Sequence, residues 1–116
     1  MVTEGPAKKL TVYVDESDKH DGRPVYEALM DMFYKQKISG VSVFRGVAGY
    51  GSDGVFHTSK MLELSISLPV KLEAVDSGEM IEKVLPLVSS IVEKGLVEIS
   101  DTYVVKCCGK PVKGGR

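Results

Sequence analysis

A chain of 116 residues has room for one hydrophobic core, and its 15 Lys and Arg against 16 Asp and Glu exclude the basic excess of a general nucleic-acid binder. No apolar run approaches the length of a membrane span, and the residues before Lys9 lack the apolar centre of a secretory signal, so neither membrane insertion nor export is expected. The two cysteines, Cys107 and Cys108, are adjacent; they supply no disulfide framework, suit a reducing, cytoplasmic setting, and read as packing residues.

In chain order, residues 1–7 read as a loose lead. Leu10, Val12 and Val14 alternate with Thr11 and Tyr13 as a first strand. Residues 15–23 are wholly polar and read as a solvated loop. Pro24 suits a first helical position, and Val25, Ala28, Leu29, Met32 and Phe33 recur at helical spacing through residue 37, with Ser39-Gly40 as the stop. Val41, Val43 and Arg45 share one parity of a second strand. Residues 46–60 are then a glycine-rich connection, long for a compact domain. Leu62, Leu64, Ile66, Leu68, Val70, Leu72 and Ala74 form a long third strand with one buried face, disturbed near Pro69 by the missing N–H.

Asp76 with Glu79 resembles a capping arrangement for a second helix, whose stripe is Ile81, Val84, Leu85, Val88, Ile91 and Val92. Pro86 should kink or split it, and Gly95 is placed as its C-terminal cap. Val97, Ile99, Tyr103 and Val105 share a face of the last strand, which Asp101 interrupts. Residues 109–116 read as a mobile tail, leaving one domain over residues 8–108.

The order β-α-β-β-α-β predicts an α+β, ferredoxin-like fold: an antiparallel sheet with both helices on one face. The first and second strands then run the same way. The polar loop, the glycine connection and the turn at Lys94-Gly95 gather at one end of the sheet, beside the N-terminus of the first helix. The other sheet face should show Thr11, Tyr13, Ser42, Phe44, Ser65 and Ser67, a moderately polar surface suited to subunit contact. An RNA-recognition module shares this order, but its exposed aromatics and cations are missing from the third strand.

The glycine connection is the candidate site. Gly46, Gly49 and Gly51 let the backbone approach an anion, with Tyr50 beside them. Arg45, His57 and the first-loop residues Lys19, His20 and Arg23 are the candidate side-chain contacts. His20 and His57 lack metal-ligand spacing, and no nucleophile with its base stands out.

Three segments carry a family resemblance: residues 15–24, residues 40–51 with His57 after them, and residues 68–76. Together they resemble the family known as domain of unknown function 190, which is similar to the PII signalling proteins. The likeness implies a PII-like, ferredoxin-like subunit and a homotrimer, with an adenine nucleotide in clefts between subunits. It also implies a loop after the second strand that docks on a membrane transporter or a fluoride channel, and regulation in place of catalysis. Gly49-Tyr50-Gly51 matches the Gly-aromatic-Gly turn that PII proteins place against the nucleotide. PII proteins grip phosphates with a second glycine-rich loop after the last helix. Lys94-Gly95-Leu96-Val97 is no such loop, which leaves Lys19, His20 and Arg23 to stand in for it. The alternatives are a metal- or ion-responsive trimer that uses His20 and His57, and a small enzyme working in the same cleft.

Overall fold

The computed structural model describes residues 2–58 and 67–109. Its elements are β1 (Gly5–Asp15), β2 (Lys19–His20), β3 (Arg23–Pro24), α1 (Val25–Lys35), β4 (Val41–Arg45), β5 (Ala48–Gly49), β6 (His57–Thr58), β7 (Pro69–Asp76), α2 (Gly78–Ile91) and β8 (Leu96–Val104). β4, β7, β1 and β8 lie side by side in that order, antiparallel at every pairing. This is the expected ferredoxin-like sheet; β2–β3 and β5–β6 are small ribbons added to its connections.

Strand parity builds the core. Leu10, Val12 and Val14 of β1 and Val70, Leu72 and Ala74 of β7 point to one side. Val25, Leu29 and Phe33 of α1 and Ile81, Val84 and Val88 of α2 close over them in one cluster, so both helices cover the same face. β7 alternates between half-buried and buried along its length, as a strand with one covered face must.

Several elements depart from the expected pattern. β1 begins at Gly5, inside the expected lead, because β8 is long enough to pair with it as far as Gly5↔Val104. The polar loop is in part a hairpin: Lys19 pairs with Pro24 and His20 with Arg23 around Asp21 (φ 50°) and Gly22 (φ 81°), the two positive φ values of a type I′ turn. Pro24 caps α1 from outside instead of opening it. At the other end of α1, Lys37 takes φ 64° and donates to Tyr34 O (3.1 Å), while Ile38 N donates to Phe33 O (3.0 Å). This reverse turn ends the helix before Ser39-Gly40 is reached.

Of the expected third strand, Leu62, Leu64 and Ile66 lie outside the described residues. Pro69 is the first residue of β7, where its missing donor leaves no gap in the ladder. Ser77 caps α2 by accepting from Met80 N (3.2 Å). Asp76 instead joins the end of α1 to the start of α2. Fully buried, it accepts from Ser39 N (2.8 Å), Ser39 Oγ (3.0 Å) and Ser77 N (2.7 Å). Burial opposes its charge, but these donors outweigh burial and hold its carboxyl below the usual range. Pro86 lies within α2, which runs on to Ile91 without splitting. Gly95 is not the helix cap, a position held by Val92. Asp101 does not interrupt β8, since its carboxylate takes the Lys8 ammonium across the β1–β8 pair.

On the uncovered face Tyr13, Ser42 and Phe44 are exposed as expected, but Thr11, of the same parity, is buried, and β7 contributes Lys71 and Glu73 there. The Lys71 ammonium lies 4.9 Å from the Phe44 ring centre and 3.2 Å from Glu73. Ser65 lies outside the described residues, and Ser67 precedes the strand. Cys107 and Cys108 follow β8, one half-buried and the other exposed, so they are not core packing residues.

Candidate functional site

The sheet register gathers the functional segments. Asp15 pairs with Pro69, Arg45 with Val70, and Tyr13 with Leu96. The exits of β1 and β4 and the entries of β7 and β8 therefore share one rim. Lys94, in the turn between α2 and β8, approaches Asp18 of the first connection at 3.7 Å.

Pro69 is the pivot of this rim. Gly46 N donates to Pro69 O at 2.7 Å, and a Cβ on Gly46 would stand 2.8 Å from Pro69 Cγ. A Cβ on Gly49 would stand 3.1 Å from the same atom. Close approach to the proline ring thus requires glycine at 46 and leaves little room for a side chain at 49. From there the glycine connection rises as a ribbon, with Ala48 paired to Thr58 and Gly49 to His57. Its tip turns at residues 51–54: Gly54 N donates to Gly51 O (2.9 Å), and Asp53 Oδ1 accepts from Val55 N (2.9 Å). Tyr50 and Phe56 stack with ring centres 4.6 Å apart. Both are well exposed (65% and 76%), as are Val47 and Val55, so an arm with an apolar tip stands off the core.

Most of the expected cations at the rim are already engaged. Arg45 grips Glu16 along one edge of its guanidinium: Nη2 to Oε1 at 2.9 Å and Nε to Oε2 at 2.9 Å. Glu16 Oε1 also accepts from Leu68 N (3.1 Å), and Glu16 N donates to Leu68 O (2.9 Å). The Arg45 hydrogen bonds hold the Glu16 carboxyl below its usual range; partial burial pulls the other way, and the Leu68 N–H adds to the lowering. Ser67 Oγ donates to Asp15 Oδ1 (3.0 Å) and accepts from Ser17 N (3.1 Å), which fastens the chain entering β7 to the same loop. Arg23 is 3.7 Å from Asp31, which Lys35 also holds at 2.9 Å, and His20 is 3.4 Å from Asp21. Lys19 is exposed and makes no ion pair among the described residues.

The first connection and the glycine arm thus meet through Glu16 and Arg45. Glu16, Ser67 and Pro69 organise the rim, yet only Pro69 carried a sequence signal, as a proline inside a strand pattern. Among the described residues no group of three or more His, Cys, Asp and Glu side chains could hold a metal ion. A cavity of about 580 Å³ opens at the other end of the sheet, against Phe33, Ile38 and Val41, away from this rim. No helix among the described residues is long and apolar enough to cross a membrane.

Comparison with known proteins agrees with this architecture. Residues 7–104 match the family described as DUF190, Uncharacterized ACR, COG1993. The chain is 39% identical over 101 residues to the UPF0166 protein MJ1524 of Methanocaldococcus jannaschii, covering 86% of this chain and 93% of that one. It is 31% identical over 98 residues to a UPF0166 protein of Aquifex aeolicus, covering 84% and 92% respectively. Among solved structures it is similar to CPII, a nitrogen regulatory PII-like protein from Thiomonas intermedia K12 bound to ADP, AMP and bicarbonate. That match has a TM-score of 0.67 at 20% identity and covers 91% of this chain and 94% of that one. The chain belongs to the DUF190 family and has the PII-like form of the ferredoxin-like fold.

Proposed function

We propose that this protein is a PII-like regulatory subunit that binds an adenine nucleotide at the rim and signals through the glycine arm, without catalysing a reaction. The observation that carries this is the arm itself: a ribbon seated on Pro69 by Gly46 and Gly49, beside the first connection, with an exposed aromatic pair below its turn. The backbone of Gly46, Gly49, Tyr50 and Gly51 lines the nucleotide, and Lys19, His20, Arg23, Arg45 and His57 supply side-chain contacts. CPII, of the same fold, binds ADP and AMP, which supports the ligand class.

The sheet supports assembly into a homotrimer. Among the described residues both edge strands are uncapped: β8 exposes Leu96, Ile99 and Tyr103, and β4 exposes Val43 and Phe44. Unpaired edges of this length call for a partner strand. Two different edges meeting head to tail close into a ring, and the nucleotide clefts lie between copies. The apolar arm tip then faces a membrane transporter or channel from the cytoplasmic side.

Calorimetry with ADP and AMP, paired with light scattering for the mass of the assembly, tests the proposal. Saturable heat with about one nucleotide per chain on a trimer is expected. A monomer, or no heat with either nucleotide, overturns it.

A further inference from the structure

Arg45 is at once the side chain nearest in sequence to the glycine arm and the partner of Glu16. Glu16 fills the Nε–Nη2 edge of the guanidinium, so an anion can take that bidentate edge only if Glu16 lets go. The pair opens easily. Arg45 is 61% exposed and Glu16 27%, so water screens the attraction and can replace it. A phosphate carries more charge than a carboxylate and matches the same fork. Glu16, for its part, also holds Leu68 N, while its backbone N–H holds Leu68 O. One residue therefore ties together the last residue of β4, where the arm leaves the sheet, and the residue before β7, where the chain returns to it.

Resting on the nucleotide reading above, we propose that Arg45 is an exchanged side chain. Glu16 holds it while the site is empty, and the phosphate of the bound nucleotide takes it when the site is filled. The exchange cuts the link between the first connection and the base of the arm, leaving Glu16 on Leu68 alone. Ligand occupancy is thereby converted into loss of a side-chain tie at the base of the arm, while the backbone of Arg45 and Gly46 stays paired with Val70 and Pro69. Glu16 competes with the ligand, so it lowers affinity and sets the ligand concentration at which the tie is broken.

The test is Glu16→Gln, whose amide oxygen still accepts from Leu68 N but carries no charge to hold Arg45. Glu93→Gln, at an exposed carboxylate in the turn between α2 and β8, removes the same charge without touching Arg45 or another proposed contact. ADP should bind roughly two- to fivefold tighter to Glu16→Gln than to the unaltered protein, the factor set by an exposed pair. Glu93→Gln should stay near the unaltered affinity. The Arg45 Nε resonance should also shift during an ADP titration, saturating with the calorimetric signal. Unchanged ADP affinity in Glu16→Gln, an equal gain in Glu93→Gln, or an unmoved Arg45 Nε overturns the exchange and leaves nucleotide binding standing. Absence of ADP binding by both the unaltered protein and Glu16→Gln overturns the nucleotide reading as well.

Discussion

The α-carbon of Gly95 lies against the carbonyl oxygen of Tyr13, so closely that a Cβ would overlap that oxygen and press on Val14 Cγ1 at 3.2 Å. With φ at 147°, the residue is also in a region that side chains disfavour. The turn from α2 into β8 is therefore held against the central strand by the absence of a side chain. Gly95→Ala should cost at least about 2 kcal/mol, in the range of overpacked and strained sites. Urea denaturation followed by circular dichroism measures it; a midpoint equal to the parent's would contradict the contact.

Lys37 presents the opposite case. It occupies a left-handed position, φ 64°, in the turn that ends α1, where glycine is the usual occupant. Its side chain is exposed and unpaired among the described residues. Lys37→Gly removes the conformational strain at little cost in contacts and should stabilise the fold by about 1 kcal/mol. A rise of several degrees in Tm is expected from differential scanning calorimetry, and a fall would argue against the turn.

Asp76 makes stability depend on pH in a definite direction. Its carboxyl is held below the usual value in the folded chain, so the folded state binds the proton less readily than the unfolded one. The stabilisation is full above the unfolded pKa of about 3.9 and disappears as pH falls through the lower folded value. Asp76→Ala leaves Ser39 N and Ser77 N without this acceptor and should cost about 1–3 kcal/mol at pH 7. Paired urea titrations at pH 7 and pH 3 should show the gap between variant and parent narrowing at the acidic value.

At the arm, Gly49→Val places a branched side chain where a Cβ alone would stand 3.1 Å from Pro69 Cγ. The ring and the arm are pushed apart there, while the core, which includes no described residue of the arm, is unaffected. ADP affinity should fall at least about tenfold, equivalent to about 1.4 kcal/mol, with the thermal midpoint retained. Calorimetry beside a melting curve separates this outcome from general misfolding.

Periodicity located both helices and the four strands of the main sheet, because Leu10, Val12 and Val14 or Ile81, Val84 and Val88 must be buried together in any stable arrangement. It also placed the connections at a common end, since that follows from strand direction alone. The hairpin at Asp21-Gly22 was legible too, as an Asp-Gly pair between short ribbons, but the run of charge around it reads as solvated loop. The departures at Ser77, Lys37 and Gly95 turn on single hydrogen bonds or single dihedral angles, which hydropathy does not record. At the rim, Arg45 was visible as a cation but Glu16 was not visible as its partner. A carboxylate among Asp15, Asp18 and Asp21 has no mark of its own until the fold brings Leu68 and Arg45 to it.

Among the described residues from 47 to 58, none belongs to the buried cluster that stabilises the sheet. Leu68, where the chain returns, is buried and bonded to Glu16, so the freedom to drift, lengthen or be exchanged is confined to the turn above Gly49 and His57. A foreign turn grafted between Gly49 and His57 should leave the melting behaviour of the host nearly intact.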